Sequence, residues 1–383
     1  MIKFASVKRS NVGSSKNENA NDMFLQKAQN YLRDNAELRI ALGICKDAIL
    51  VPHYLGQGEH NKNFRFKDPN SGREFVLRIN VASQPFHKNQ VAYEFAALKA
   101  LEQSGCVPKA LYLDDSKRLL NEGALVISFC EGKQLDFDNL QAGDLQCAIQ
   151  MMANIHAVPT NEESNPHAAK LFKPKDPLEE LYAECVSRFK IYQTSGFEDA
   201  RITKWAQRFF NIAKPQLETR TSSSNASHII NTETLPSHFL IPKNAANEAA
   251  TNASKAGTFC SAPGTFVDWE RPIIGEVAQD LAYFISPTTT FWDSDFLFPT
   301  SEIEAVINDY WRAVDGRFEQ GNFEERFYAF RTMTVLRSMT WCCKALVQYS
   351  AQSKQHKTAK TAGKLPIYLS DEFLEQVIDT FES

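Results

Sequence analysis

Two segments place acidic side chains directly after short apolar runs, a pattern typical of a loop held rigidly at a site. Glu233 lies in a polar stretch between the β-rich runs 229–230 and 239–241, and Asp268 follows Phe266-Val267. A carboxylate at the end of a strand can hold Mg²⁺ against phosphate groups, because Mg²⁺ prefers oxygen ligands and keeps several waters. Glu233 and Asp268 are therefore the leading candidates for chemistry.

Arg78 is a cation within an apolar run that extends from Phe75 to Ile79. A buried charge needs a partner, and Glu94 is the only acid in the apolar surroundings of a predicted helix. The pair has two interpretations. It is either a structural ion pair, or the strand cation and helix carboxylate with which kinase-like folds hold the α/β-phosphates of a nucleotide.

Gly56 and Gly58 lie between two β-rich runs. They suit a hairpin whose backbone N–H groups approach phosphates closely, although any tight hairpin would use the same glycines. The pattern G-x-x-x-x-G-K-[ST] is absent here, so a Walker-type phosphate loop is excluded.

The elements that must position these residues change character along the chain. One helical run interrupts several short β-rich runs, and the chain is mostly helical after Gly132. This order predicts an α+β protein with two lobes, in which a small antiparallel sheet with one long helix precedes a larger helical lobe. The expected divisions are a flexible segment 1–22, an N-terminal lobe 23–128 and a C-terminal lobe 129–383 with a low-complexity insert at 242–264. Further predictions are a helix at 24–42 and a basic loop at 350–366.

Composition excludes several other classes of protein. The 383 residues include 46 acidic and 42 basic side chains, so no overall basic field would attract nucleic acid or an anionic membrane. No apolar run is long enough for a membrane span, and no signal-peptide core is present. The eight cysteines have no C-x-x-C spacing, which favours reduced, buried thiols in a cytoplasmic protein.

Taken in order, these features resemble the aminoglycoside phosphotransferase and choline kinase family, relatives of the protein kinases, over roughly residues 45–300. The resemblance implies that Arg78 is the cation for nucleotide phosphates and Glu94 its partner. It also implies that adenine meets backbone groups of a hinge. The hinge residues would be Ser128, Phe129 and Cys130.

The resemblance also extends to the acidic motifs of the second lobe. Asp268 matches the metal-binding Asp, in the form Asp-Trp-Glu, and Asp280 matches the Asp that supports the catalytic loop. N-capping of a predicted helix is the alternative explanation for Asp280. Asn231 would belong to the same supported loop. A Thr-Thr-Thr-Phe-Trp stretch at 288–292 further resembles a branch of the family with Asn-Thr-Glu in its catalytic loop.

The catalytic loop departs from the usual family pattern, His-Gly-Asp-x-x-x-x-Asn. Glu233 replaces the catalytic Asp, and His238 replaces the metal-binding Asn. Glutamate preserves the chemistry, but its extra methylene shifts the carboxylate, and a misplacement of about 1 Å can cost about 10²-fold in rate. Imidazole suits zinc-like metals better than Mg²⁺, so we do not expect His238 to bind a second Mg²⁺. One-metal catalysis through Asp268, a compensating oxygen from Glu270 or Glu233, and loss of activity all stay open.

The resemblance implies an ATP- and Mg²⁺-dependent phosphotransferase that acts on a hydroxyl group of a small molecule, without nucleic acid or membrane partners. A pseudokinase that binds nucleotide and transfers nothing is the main alternative, and nucleotidyl transfer is a lesser one. The acceptor and the oligomeric state stay open. Trp292, Asp293 and Asp295 either line an amine-binding wall or mark a helix start.

Overall fold

An antiparallel five-stranded sheet forms the N-terminal lobe in the computed structural model, which describes residues 15–58, 60–82, 89–218, 227–243, 264–350 and 359–382. Its strand order is β1-β2-β3-β5-β4. The strands are β1 (His53–Gln57), β2 (Asn61–Lys67), β3 (Glu74–Asn80), β4 (Ala110–Asp114) and β5 (Gly123–Ser128).

The two faces of this sheet pack against different elements, because successive side chains of a strand point to opposite sides. In β3, Phe75, Leu77 and Ile79 join a core with the N-terminal helices. Val76 joins the other core, which continues into the second lobe. Arg78 shares the face of Val76, so the alternation directs its guanidinium towards the interior between the lobes.

Three helices cover the sheet. Helices α1 (Ser15–Asp34) and α2 (Ala36–Leu42) pack on one face, and α3 (Gln90–Leu101) packs on the other. The predicted helix at 24–42 is therefore two helices, and the first begins earlier than its apolar pattern indicates. The break occurs at Asn35, whose side chain accepts a hydrogen bond from the N–H of Leu38 and caps α2.

Helices dominate the second lobe. The long helix α10 packs against α5, α6 and α7 and is buried over most of its length. The helices are α4 (Asp144–His156), α5 (Pro177–Gln193), α6 (Ala200–Glu218), α7 (Val277–Phe284), α8 (Pro287–Asp293), α9 (Thr300–Val314), α10 (Phe323–Ser350), α11 (Ala359–Tyr368) and α12 (Asp371–Glu382).

Two small antiparallel sheets position the loops of the second lobe. One contains β6 (Lys133–Gln134), β8 (Phe239–Ile241) and β9 (Thr265–Phe266), and the other pairs β7 (His228–Ile230) with β10 (Ile273–Gly275). The rings of Phe239 and Phe266 stack with centroids 4.3 Å apart, which fixes β8 against β9. The polar residues that follow β7 and β9 are therefore attached to buried strands.

The predicted fold class is confirmed: a small antiparallel lobe precedes a larger helical lobe. Strand β1 begins at His53, after Ala48 and Leu50, which pack in the core of the first lobe. The predicted basic loop at 350–366 is partly wrong. The basic segment is helical over Ala359–Tyr368. Most of the predicted insert at 242–264, like residues 1–14, lies outside the described residues.

The described part of the chain contains no helix that is long and apolar enough to cross a membrane. Its cysteines are free thiols, and most of them are buried. Cys106, Cys147, Cys185, Cys342 and Cys343 are buried, Cys130 is half-buried and Cys45 is exposed.

Candidate active site

Arg78 lies at the centre of a group of three carboxylates that come from different parts of the chain. Its Nε is 3.0 Å from Oε1 of Glu94 on α3, so the predicted pairing is present. Its Nη2 is 3.3 Å from Oδ1 of Asp268 and 3.2 Å from Oε1 of Glu270. Asn61 on β2 also donates a hydrogen bond to Glu270. The sheet, α3 and the segment after β9 thus meet at one guanidinium.

This group carries an excess of negative charge, because three carboxylates face one guanidinium. Burial raises the pKa of Glu94, with the nearby charge of Asp268 adding to the effect. Burial and the charge of Asp268 raise the pKa of Glu270 well above its ordinary value. The charge of Asp268 contributes to both shifts after burial, and a further cation at this position would relieve this repulsion between the carboxylates.

The donor set of this group fits Mg²⁺. The described ranges contain no group of three or more His, Cys, Asp or Glu side chains arranged to hold a metal ion by themselves. Mg²⁺, however, is usually bound through one or two carboxylates together with substrate phosphates and water. Asp268, whose side chain is 38% exposed, supplies one oxygen of the required kind, and Glu270 supplies another.

Packing does not explain the two glycines of the hairpin between β1 and β2. A Cβ added at Gly56 or Gly58 would meet nothing within 4 Å, and neither residue adopts a positive φ. The N–H of Gly58 donates to the carbonyl of Asn61 at 3.0 Å, closing the turn, and Glu59 lies outside the described residues. The bare backbone is therefore open to a ligand.

The predicted hinge follows β5. Ser128 and Phe129 are tied to neighbouring strands, since their N–H groups donate to the carbonyls of Lys109 and Glu74 at 3.0 and 3.1 Å. In contrast, neither the backbone N–H nor the carbonyl of Cys130 forms a hydrogen bond with any described residue. This pair of backbone groups is available to a ligand.

Asp280 supports the loop that follows β7 and is not an N-cap. It lies within α7, fully buried, and its Oδ2 and Oδ1 accept hydrogen bonds from the N–H groups of Asn231 and Thr232 at 2.7 and 2.8 Å. Oδ2 is also 3.3 Å from Nε2 of His156, at the end of α4. The Asn231 side chain in turn donates to the carbonyl of Asp268 at 2.8 Å, linking the two acidic loops.

Both acidic loops contain a residue in the left-handed region of φ. Thr232 and Asp268 each have φ of 69°, which is unusual for a β-branched residue in particular. Such conformations persist when surrounding contacts enforce them. The Oγ1 of Thr232 donates to the carbonyl of Arg271 at 3.1 Å, and its own carbonyl accepts from Arg337 at 3.2 Å. The loop before Glu233 is therefore rigidly held.

Glu233 is engaged by two arginines that the sequence interpretation did not identify. Its Oε1 accepts a hydrogen bond from Nη2 of Arg337 at 2.8 Å and lies 3.5 Å from Nη1 of Arg271. Its Oε2 accepts no hydrogen bond from the described part of the chain. Burial alone would raise the pKa of Glu233, but the two guanidiniums outweigh it and hold the pKa below its ordinary value.

The same arginines contact Glu184 on α5. This carboxylate lies 2.6 Å from Nη2 of Arg188, 3.3 Å from Nη2 of Arg271 and 3.5 Å from Nε of Arg337. Burial opposes ionisation of Glu184, but the three cations lower its pKa to about 2. A signal for Arg337 existed in the sequence, because it is a cation in an apolar helical run, as Arg78 is in an apolar strand.

His238 lies beside Asp268, and Asp293 of the predicted amine-binding wall contacts the neighbouring Ser237. Nε2 of His238 is 3.5 Å from Oδ2 of Asp268. The acids after 291 do not mark a helix start, because α8 ends at Asp293. Asp293 accepts a hydrogen bond from the N–H of Ser237 at 3.3 Å, and Trp292 packs edge-on against Trp341.

Comparison with known proteins supports the architecture. Residues 53–217 match the model of the phosphotransferase enzyme family. No curated protein matches the chain significantly. Ethanolamine kinase from Plasmodium vivax has the same fold, with a TM-score of 0.58 at 13% identity over 96% of this chain and 99% of that chain.

Two further solved structures have a similar fold. Choline kinase from Cryptosporidium parvum gives a TM-score of 0.56 at 14% identity, covering 95% of this chain and 97% of that chain. Spectinomycin phosphotransferase, solved with ADP and spectinomycin, gives 0.57 at 11% identity, covering 89% and 95%. The family match and the shared bilobal fold confirm the resemblance to the aminoglycoside phosphotransferase and choline kinase family that the sequence motifs indicate.

Proposed function

We propose that this chain transfers the γ-phosphoryl group of ATP to a hydroxyl group of a small-molecule acceptor. The observation that carries the proposal is the meeting of Arg78, Glu94, Asp268 and Glu270 at one point, linked through Asn231 to the loop of Glu233. Phosphoryl transfer requires mainly positioning and charge neutralisation, and this arrangement offers both.

The nucleotide would bind between the lobes. Arg78, oriented by Glu94, would contact the α/β-phosphates, and the bare backbone at Gly56 and Gly58 would lie over them. The free backbone groups of Cys130 would hydrogen-bond to the edge of adenine. Support for nucleotide binding comes from the similar fold of spectinomycin phosphotransferase, which was solved with ADP.

Asp268 would hold Mg²⁺, with Glu270 as a second oxygen donor. When bound, the metal neutralises charge that develops on the phosphate oxygens. The chain's own contribution is to keep these carboxylates in place. Arg78 fixes one oxygen of each, and the side chain of Asn231 fixes the backbone of Asp268.

Glu233 would orient the acceptor hydroxyl through Oε2 and receive its proton. As the new oxygen–phosphorus bond forms, the bond to the β-phosphate oxygen breaks and ADP leaves. A carboxylate with a lowered pKa is a weak base, yet the proton moves late in a loose transition state, so orientation matters more than basicity.

A pseudokinase is the second candidate, and two observations favour it. Oε1 of Glu233 is already bonded to Arg337, and His238 stands where the family pattern has Asn, close to Asp268. In that case the chain would bind nucleotide without transfer. Nucleotidyl transfer, in which AMP rather than phosphate reaches the acceptor, is a lesser alternative.

Two measurements test the proposal together. Thermal unfolding with ATP and Mg²⁺ should show stabilisation, of about 2.7 kcal/mol at 100 times the dissociation constant. Incubation with a panel of hydroxyl metabolites should release ADP and give phosphorylated product, identified by mass. Nucleotide stabilisation without any product would support the pseudokinase, and AMP-modified product would support nucleotidyl transfer. Absence of stabilisation at millimolar nucleotide with any divalent metal would contradict every one of these functions.

A further inference from the structure

A cluster of arginines surrounds the acceptor side of Glu233 and is separate from the group around Arg78. Glu184 and Arg188 lie one helical turn apart on α5, Arg337 comes from α10, and Arg271 comes from the segment before β10. Adjacent residues of that segment belong to different groups, since Glu270 contacts Arg78 whereas Arg271 contacts Glu233. We call these four residues, with Glu233, the arginine cluster.

The arginine cluster has a surplus of positive charge. Three guanidiniums surround two carboxylates, and both carboxylates are ionised at neutral pH because their pKa values are lowered. Burial lowers the pKa of Arg188, the charge of Glu184 raises it, and the charges of Arg337 and Arg271 lower it further. An anion would remove this imbalance.

Hydrogen-bond donors in the cluster are also in surplus. Within the described ranges, Arg188 donates only from Nη2, to Glu184. The Nε of Arg337 is buried without a hydrogen-bond partner there, although a carboxylate oxygen lies at 3.5 Å. Guanidinium groups present planar sets of donors that match carboxylate and phosphate oxygens.

The cluster is open on the side where an acceptor must bind. Side-chain exposure falls from 39% at Glu233 through 18% at Arg271 and 11% at Arg188 to 8% at Arg337. Nη1 of Arg271 is 3.5 Å from Oε1 of Glu233. A molecule whose hydroxyl meets Glu233 is therefore within reach of the Arg271 guanidinium.

We infer that the acceptor carries an oxyanion, a carboxylate or a phosphate group, that binds Arg271 and Arg188 while its hydroxyl meets Glu233. The inference rests on the proposed function. It departs from the amine-binding wall considered for Trp292 and Asp293, since a cationic acceptor would meet surplus positive charge at Arg271.

Matched three-carbon probes test the charge preference directly. Glycerate and glycerol 3-phosphate carry the two oxyanions, glycerol is neutral, and serinol carries an ammonium group. With ADP and Mg²⁺ at constant ionic strength, we expect the two anionic probes to raise the melting temperature and the other two to leave it unchanged. A response to only one anion distinguishes carboxylate from phosphate and supports the inference in either case.

Variants connect this response to the cluster. Arg271→Gln should lower the affinity for the anionic probes by roughly 10- to 100-fold, the loss expected for a charge-assisted hydrogen bond. Arg271→Lys should restore part of the response, and Arg118→Gln, at an exposed arginine paired with Glu37, should not change it. If Arg271→Gln fails to fold, Arg188→Gln serves as the second variant.

Turnover separates this inference from the proposed function. Any of three results would overturn the inference that the acceptor carries an oxyanion and leave the proposed phosphotransferase function intact. These results are equal responses to all four probes, a preference for serinol, or an anion response that persists in both Arg271→Gln and Arg188→Gln. An Arg271-dependent anion response in a protein that neither binds ATP nor releases ADP would contradict the proposed function and still support anion binding at Arg271. Where turnover occurs, the Arg271→Gln change should appear in KM for anionic acceptors and not in KM for ATP.

Discussion

Arg337 holds one oxygen of Glu233 and leaves the other open. Its Nη2 donates to Oε1 at 2.8 Å, while Oε2 receives no hydrogen bond from any described residue. The two residues are 104 positions apart, so the folding of α10 against the loop after β7 brings them together. A carboxylate held in this way is ionised and pre-oriented, which is what positioning an acceptor hydroxyl requires.

Glu233→Gln should lower turnover by roughly 10²-fold or more while nucleotide affinity stays nearly unchanged. The amide can still accept from Arg337 through its carbonyl, so the loop should keep its shape, but it cannot take a proton. ADP release in single-turnover experiments and ATP titration measure the two effects. Glu372→Gln, at an exposed site on α12, is the matched control. Full turnover in Glu233→Gln would assign the base role to another group.

Asp268→Asn should fail in a different way, by removing metal-dependent nucleotide binding together with turnover. The substitution keeps the shape of the side chain but removes the charge that faces the metal and the phosphates. ATP titrations with and without Mg²⁺ should show that the metal dependence present in the unmutated protein is lost. Retention of that dependence in Asp268→Asn would exclude Asp268 as the metal ligand.

The ion pair of Arg78 with Glu94 was predictable because it follows from a simple rule. A charge in an apolar strand must be paired, and one helix offered a single acid, Glu94. The contacts of Arg271 with Glu233 could not be predicted in that way, since they depend on how distant elements pack. Propensity also failed where tertiary contacts decide: α11 contains Pro366, Gly363 and two lysines but is helical, with Leu365 buried in the core.

The pairing of Arg78 with Glu94 can be measured by a double-mutant cycle on the free energy of unfolding. Arg78→Ala should cost about 3–5 kcal/mol, because it leaves buried carboxylates without their cation. The coupling energy between Arg78→Ala and Glu94→Ala should reach about 0.5–3 kcal/mol, as for residues in contact. Additive effects would mean that the two side chains do not interact in solution.

Gly58→Ala tests whether the hairpin serves a ligand or only the fold. The added methyl group meets no atom within 4 Å and φ is not strained, so the melting temperature should hardly change. If phosphates lie against this backbone, ATP affinity should fall roughly tenfold, equal to about 1.4 kcal/mol. Gly363→Ala, also in open space but on α11, should leave ATP affinity unchanged. Unchanged affinity in both variants would separate the hairpin from nucleotide binding.

The stabilising effect of Glu184 should depend on pH in a defined direction. Its pKa is lowered to about 2 in the folded chain, whereas an unfolded glutamate has an ordinary value near 4.5. The folded state therefore favours the carboxylate, and the stabilisation is complete above about pH 5 and is lost as pH falls towards 2. A shift of this size corresponds to about 3 kcal/mol.

Denaturant unfolding measures this contribution when the unmutated protein and Glu184→Gln are compared at pH values about one unit apart, from about pH 3 to about pH 7. The difference in unfolding free energy should shrink on acidification, while Glu304→Gln, at an exposed site on α9, should show no such trend. A difference that stays constant or grows at low pH would mean that the three arginines do not hold Glu184 ionised.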